Sequence, residues 1–155
     1  MRIKKVKVTS ENRINIEYES GDANRDEFSL ICKQAPMQSF YDSLDKLNIH
    51  VIEMCELPED YLDRIIVRGV TFSYGGEKEV MGATIIARMR LNQSNVDLNL
   101  NTPYKASESY SESPADEAQM LSYECVTDLN FVIIEAMKYV NGERAQIGLF
   151  EGGVE

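Results

Sequence analysis

The chain of 155 residues has no tryptophan, one histidine (His50), four prolines and three widely spaced cysteines. Each scarcity removes a kind of chemistry. A single histidine excludes sites built on two, and with them most zinc centres. A cysteine–histidine pair through His50 stays formally open, but nothing else in the sequence singles out a nucleophile. Cys32, Cys55 and Cys125 form no C-x-x-C pair, and an odd count of this kind reads as buried thiols rather than disulfides. The glycine pairs Gly75-Gly76 and Gly152-Gly153 lack the spacing of a phosphate-binding loop, so they read as turn or linker residues. Glu53, Glu56, Glu59 and Asp60 cluster in sequence, yet they straddle Pro58 and read as surface charge rather than metal ligands. No apolar run approaches the ~20 residues that cross a bilayer. The basic opening, Met1-Arg2-Ile3-Lys4-Lys5, is not followed by the apolar stretch of a signal segment. The expectation is a cytoplasmic protein with no membrane partner, no metal and no cofactor. No catalytic set is readable, which points to a binding protein rather than an enzyme.

What the chain has in excess is acid. Twenty-six Asp and Glu against 16 Lys and Arg give a net charge of −10. Non-specific nucleic-acid affinity comes from cationic contacts to phosphates, so this balance argues against a DNA-coating protein. The excess is uneven, however. Residues 61–105 carry six basic and four acidic residues, whereas residues 106–135 carry seven acidic and no basic ones. With 43% hydrophobic residues the chain can bury a core.

Hydrophobic periodicity supplies the fold expectation. Val6 and Val8 alternate with Lys5 and Lys7. After a turn at residues 10–12, Ile14, Ile16 and Tyr18 alternate with Asn15, Glu17 and Glu19. After a second turn at 20–24, Phe28, Leu30 and Cys32 alternate with Glu27, Ser29 and Lys33. These are three strands of an antiparallel meander. Phe40, Leu44, Leu47, Val51, Ile52 and Cys55 recur at helical spacing and predict one helix that ends at Leu57-Pro58. Two long strands follow, from Asp63 to Tyr74 and from about Lys78 to Leu91, joined at Gly75-Gly76. In the first of them the apolar phase flips at Gly69, as at a β-bulge. Residues 92–113 read as a loop. A last helix is expected from Pro114 to Val140, stopped by Asn141-Gly142. The expected fold is α+β: a five-stranded antiparallel sheet, in the order β-β-β-α-β-β-α, with two helices on one face. Residues 1–142 would form a single domain and 143–155 a C-terminal tail.

The tail holds Gln146-Ile147-Gly148-Leu149-Phe150. This segment resembles the pentapeptide by which many bacterial replication and repair proteins bind the DNA sliding clamp, in its Gln-x-x-Leu-Phe form. Gln146, Leu149 and Phe150 match the family positions, and Ile147 suits the usual aliphatic second one. Gly148 stands where the family often has Ser or Asp. Such a peptide works by burying a Leu-Phe pair in a preformed pocket while a glutamine amide sets the register. The resemblance implies the clamp as partner, with Gln146, Ile147, Leu149 and Phe150 as the binding residues. Leu149 and Phe150 folded back onto the body are the plainer alternative. Three longer segments, Val51–Pro58, Phe72–Ala83 and Leu98–Pro103, resemble small bacteriophage and prophage proteins to which no activity is assigned. That resemblance supplies a host bacterial cell as context rather than a chemistry; together with the clamp peptide it gives the expectation of a phage-type accessory protein acting in or on DNA replication or recombination.

Two other functional expectations come from charge. Lys5, Lys7, Arg64, Arg68, Arg88 and Arg90 fall where strand faces point away from the expected core, and Tyr104 lies nearby in sequence. Together they define a candidate sheet surface for single-stranded DNA; cross-strand pairing with Glu17, Glu19 and Glu27 is the alternative reading. The acidic stretch 106–135 would suit a DNA-mimicking inhibitor of a host defence or repair enzyme, or simply a solvated helix.

Overall fold

The computed structural model describes residues 1–20, 25–108 and 120–145. Strands β1 (Arg2–Val8), β2 (Ile14–Ser20) and β3 (Asp26–Cys32) form the expected meander. The chain then crosses over the sheet through α1 (Gln38–Asp45), α2 (Asn48–Met54) and a 3₁₀ turn (Glu59–Arg64). Strand β4 (Ile65–Gly75) lands beside β1, and β5 (Val80–Met89) returns along β4. The spatial order β3-β2-β1-β4 is that of a Greek key, in which a fourth strand returns by a long connection to lie beside the first.

The sheet is antiparallel, as expected, but larger than five strands. Two short strands, β6 (Leu98–Asn101) and β7 (Lys105–Ala106), lie within the segment read as a loop and pair with successive stretches of β5. Pro103 has no N–H to give, and the break between them falls there. Thr102 covers the gap: its Oγ1 accepts from Ile85 N at 2.9 Å, and its N–H donates to Ile85 O at 3.0 Å. Among the described residues there are also three α-helices rather than the two expected. The apolar stripe from Phe40 to Ile52 is continuous, but the helix breaks at Lys46–Leu47, and both pieces bury their stripe in one core. The last helix, α3 (Tyr123–Val140), starts at Ser122, whose hydroxyl accepts from Cys125 N at 3.1 Å. The single helix expected from Pro114 is therefore shorter than its periodicity implied: Met120 bridges Ala106 and residues 120–122 are not helical, while Pro114 itself lies outside the described residues. The stop at Asn141-Gly142 is observed. Gly142 takes φ +102°, Gly142 N–H donates to Tyr139 O, and Glu143 N–H donates to Lys138 O. This is the Schellman pattern, which satisfies carbonyls the helix leaves open.

The core lies on one side of the sheet. Ile3, Val6, Ile14, Ile16, Val70, Phe72 and Ile85 meet Phe40, Leu47, Val51, Leu129, Val132 and Tyr139 from the helices. The phase flip at Gly69 is a shift in register between β4 and β5, with Arg68 as the extra residue. Glycine is required there by proximity. A Cβ on Gly69 would lie 2.2 Å from Val6 O of the neighbouring strand.

Candidate functional site

The sheet face turned away from the helices carries the charged candidates. Lys5 and Lys7 project from β1 opposite Thr71 and Gly69 of β4, and Arg88 projects from β5 opposite Ile66. Tyr104 joins them from the β6–β7 break. Its ring packs over Gly82, where a Cβ would meet the phenol at 2.0 Å, and the residue stays 47% exposed. The structure therefore brings Lys5, Lys7, Arg88 and Tyr104 to one open surface. Lys5 is 3.6 Å from Glu17, whereas Lys7 and Arg88 make no ion pair among the described residues.

Arg64, Arg68 and Arg90 serve other ends. Arg64 closes the 3₁₀ turn with its guanidinium over the Tyr61 ring, 4.7 Å from the centroid. Arg68, at the bulge, donates to Thr9 O at 2.7 Å, and burial, together with the charge of Arg88, lowers its pKa. Arg90 donates to the Asp63 carbonyl. Arg68 and Arg90 thus hold backbone carbonyls, and Arg64 packs on a ring of its own turn.

Toward β2 and β3 the same face becomes acidic. Glu19 accepts from Arg2 at 2.7 Å and lies 3.3 Å from Lys4. The Arg2 hydrogen bond holds its carboxyl below the usual carboxylate value. Arg2 also reaches Glu79 at 3.0 Å, and Arg25 joins that pair. Of the candidate cations only Lys5 takes the cross-strand alternative, with Glu17; Glu19 is held by Arg2 and Lys4, and the basic surface is left to β1 and β5.

His50 has a place that the sequence did not signal. It is buried on α2, its Nε2 is 2.7 Å from Asp128 Oδ2 on α3, and its Nδ1 is 3.7 Å from Glu53 Oε2. It lines a cavity of about 110 Å³ together with Glu53, Ser122 and Cys125. Burial, reinforced by Asp128 and Glu53, pushes the Cys125 thiol up to about 12. A thiol so far above neutrality is protonated and a poor nucleophile, so this arrangement reads as a polar tie between α2 and α3. No three His, Cys, Asp or Glu side chains group as metal ligands among the described residues. No helix among them is long and apolar enough to cross a membrane.

Of the acidic stretch, residues 109–119 lie outside the described residues. Asp128 is engaged by His50, and Glu135 is engaged by Ser39 at 2.6 Å and Lys138 at 3.0 Å. Two of the α3 carboxylates therefore serve the fold.

Gln146, Ile147, Leu149 and Phe150 also lie outside the described residues, but the residues before them are well placed. The Arg144 guanidinium stacks on the Tyr139 ring, 3.4 Å from its centroid, and its Nε donates to Gln34 Oε1 at 3.2 Å. Ala145 N–H donates to Ala35 O at 3.0 Å. The chain is thus tied to the body as far as Ala145. Comparison with known proteins finds no matching family model, no matching curated protein and no matching solved structure.

Proposed function

We propose that the protein docks on the DNA sliding clamp of a bacterial cell through Gln146, Ile147, Leu149 and Phe150. It would act as a phage-type accessory factor in or on DNA replication and recombination. The observation that carries this reading is a juxtaposition. The clamp-type peptide, matched at Gln146, Leu149 and Phe150, follows α3 and its Asn141-Gly142 stop within a few residues. Burying Leu149 and Phe150 contributes about 1.5–3 kcal/mol each before the cost of ordering the peptide. The net is a dissociation constant in the micromolar range. Docking delivers the α+β body to replicating DNA or displaces other clamp clients. Calorimetric titration of purified clamp is the test, with the full chain, a chain ending at Ala145, and Leu149→Ala/Phe150→Ala. Micromolar binding by the full chain and loss in both variants is the expected result. Equal binding by all three, or none by any, overturns the reading.

A second reading rests on Lys5, Lys7, Arg88 and Tyr104 sharing one open surface. That surface would hold single-stranded DNA by phosphate contacts and stacking. Lys7→Ala/Arg88→Ala should then weaken oligonucleotide binding and lower its salt slope by about two contacts' worth. No binding by the unchanged protein at low salt ends this reading.

A further inference from the structure

We infer that the chain pairs with a second copy of itself along the free edge of β3, joining two sheets across a two-fold axis. The inference is independent of the tail and rests on the state of the two sheet edges. At one edge, β6 has four residues, β7 has two, and Pro103 interrupts them. That is how natural sheets blunt an edge. At the other edge, β3 runs seven residues in unbroken register with β2, without proline and without a bulge. Among the described residues no strand lies on its outer side. Its backbone N–H and C=O groups on that side form a template for another strand.

Each face of this edge carries an exposed large apolar side chain. Phe28, 44% exposed, stacks on Tyr18 with ring centroids 5.3 Å apart on the helix side, and Ile31, 61% exposed, points the other way. The charges select the occupant. Glu27, on the Ile31 side, and Lys33, the residue after the strand and in phase with Ile31, are both exposed, and neither has an ion-pair partner among the described residues. A two-fold axis at Leu30 makes an antiparallel pair of β3 strands and sets Glu27 of each copy opposite Lys33 of the other. It also sets Phe28 opposite Cys32, Leu30 opposite Leu30, and Ile31 opposite Ser29. Phe28, Leu30 and Cys32 then meet apolar partners on the helix side, and on the outer side Glu27 and Lys33 meet at both ends, with Ile31 against Ser29 between them. Moving the axis one residue to Ser29 would set Arg25 against Lys33 and Asp26 against Cys32. Charge thus favours a second copy as the occupant and the Leu30 axis over the Ser29 axis.

Sedimentation equilibrium of the full chain, from low micromolar to near-millimolar concentration, tests this. The expected result is a reversible dimer. Glu27→Lys turns both symmetry-related contacts into Lys against Lys and should weaken the dimer about tenfold. Adding Lys33→Glu reverses the polarity of both contacts and should restore the original constant. Circular dichroism checks that each variant is folded, since both positions are exposed and their substitution leaves the core intact. A monomer at all concentrations, a dimer indifferent to Glu27→Lys, or a double variant as weak as the single one overturns the inference. A chain ending at Ala145 should dimerise as the full chain does, so loss of clamp binding and loss of dimerisation are read separately.

Discussion

Along β1 and β4 the inward residues Ile3, Val6, Val70 and Phe72 are almost fully enclosed, whereas along β3 the inward residues Phe28 and Leu30 keep contact with solvent. All three strands are built on two-residue alternation, interrupted in β1 between Ile3 and Lys5 and in β4 at Gly69. They differ in what lies above them. α1 and α2 pack on β4, and α3 packs on β1. The pleat decides which side a residue faces, and a covering helix decides whether facing inward means leaving water. Apolar side chains at the centre therefore hold the fold, while those at the edge are available to a partner.

The widest separation should appear in stability. Phe72→Ala should cost about 3–5 kcal/mol, measured by urea unfolding at a concentration where the chain is monomeric. Phe28→Ala under the same conditions should cost less than about 1 kcal/mol. Equal costs would break the contrast between centre and edge. Gly69→Ala should come next, at about 1–3 kcal/mol, because its Cβ would press on the Val6 carbonyl at the β1–β4 contact. A neutral outcome would mean that the bulge relaxes and the centre is less tightly fixed than its burial implies.

The smallest effect concerns Glu19, which sits on β2 between the two regions. Its folded pKa lies below the ordinary 4.5 because the Arg2 hydrogen bond favours the carboxylate. A depressed carboxyl pKa adds stability that is complete above 4.5 and is lost as pH falls through the lower folded value. Glu19→Gln should therefore lower the unfolding midpoint at pH 7 and leave it nearly unchanged at pH 2–3, flattening the acid limb of the profile. A parallel shift at both pH values would remove the ion pair from the account.

What was legible in the sequence follows from the same physics. The meander, the Gly69 phase flip and the Asn141-Gly142 stop each depend on neighbours a few residues apart, and each is present. Leu98-Asn99-Leu100-Asn101 does alternate, but asparagine is a poor strand former, and a four-residue edge strand owes its existence to β5 beside it. The apolar stripe through Lys46–Leu47 kept helical spacing across a break, so periodicity did not reveal the break. For the candidate surface, alternation placed Lys5, Lys7 and Arg88 correctly. Arg64, Arg68 and Arg90 lie in a 3₁₀ turn, at a bulge and beyond a strand end, where a two-residue period no longer applies. The His50–Asp128 contact joins residues far apart in the chain, and neither residue's surroundings announce the other.

The order of the strands bears on how the protein is made. β1 is first in sequence yet lies between β2 and β4, with Val6 against Ile16 on one side and Val70 on the other. As the chain is synthesised, β1–β3 can close as hairpins early, but one edge of β1 waits for residues 69–71. Until β4 arrives, Ile3, Val6 and Ile16 lack the rest of their core, and the step that encloses them closes a long loop. Assembly is thus set by a late, long-range pairing. For that interval the nascent meander has two open edges, β1 and β3, and among the described residues only the first is closed by its own chain.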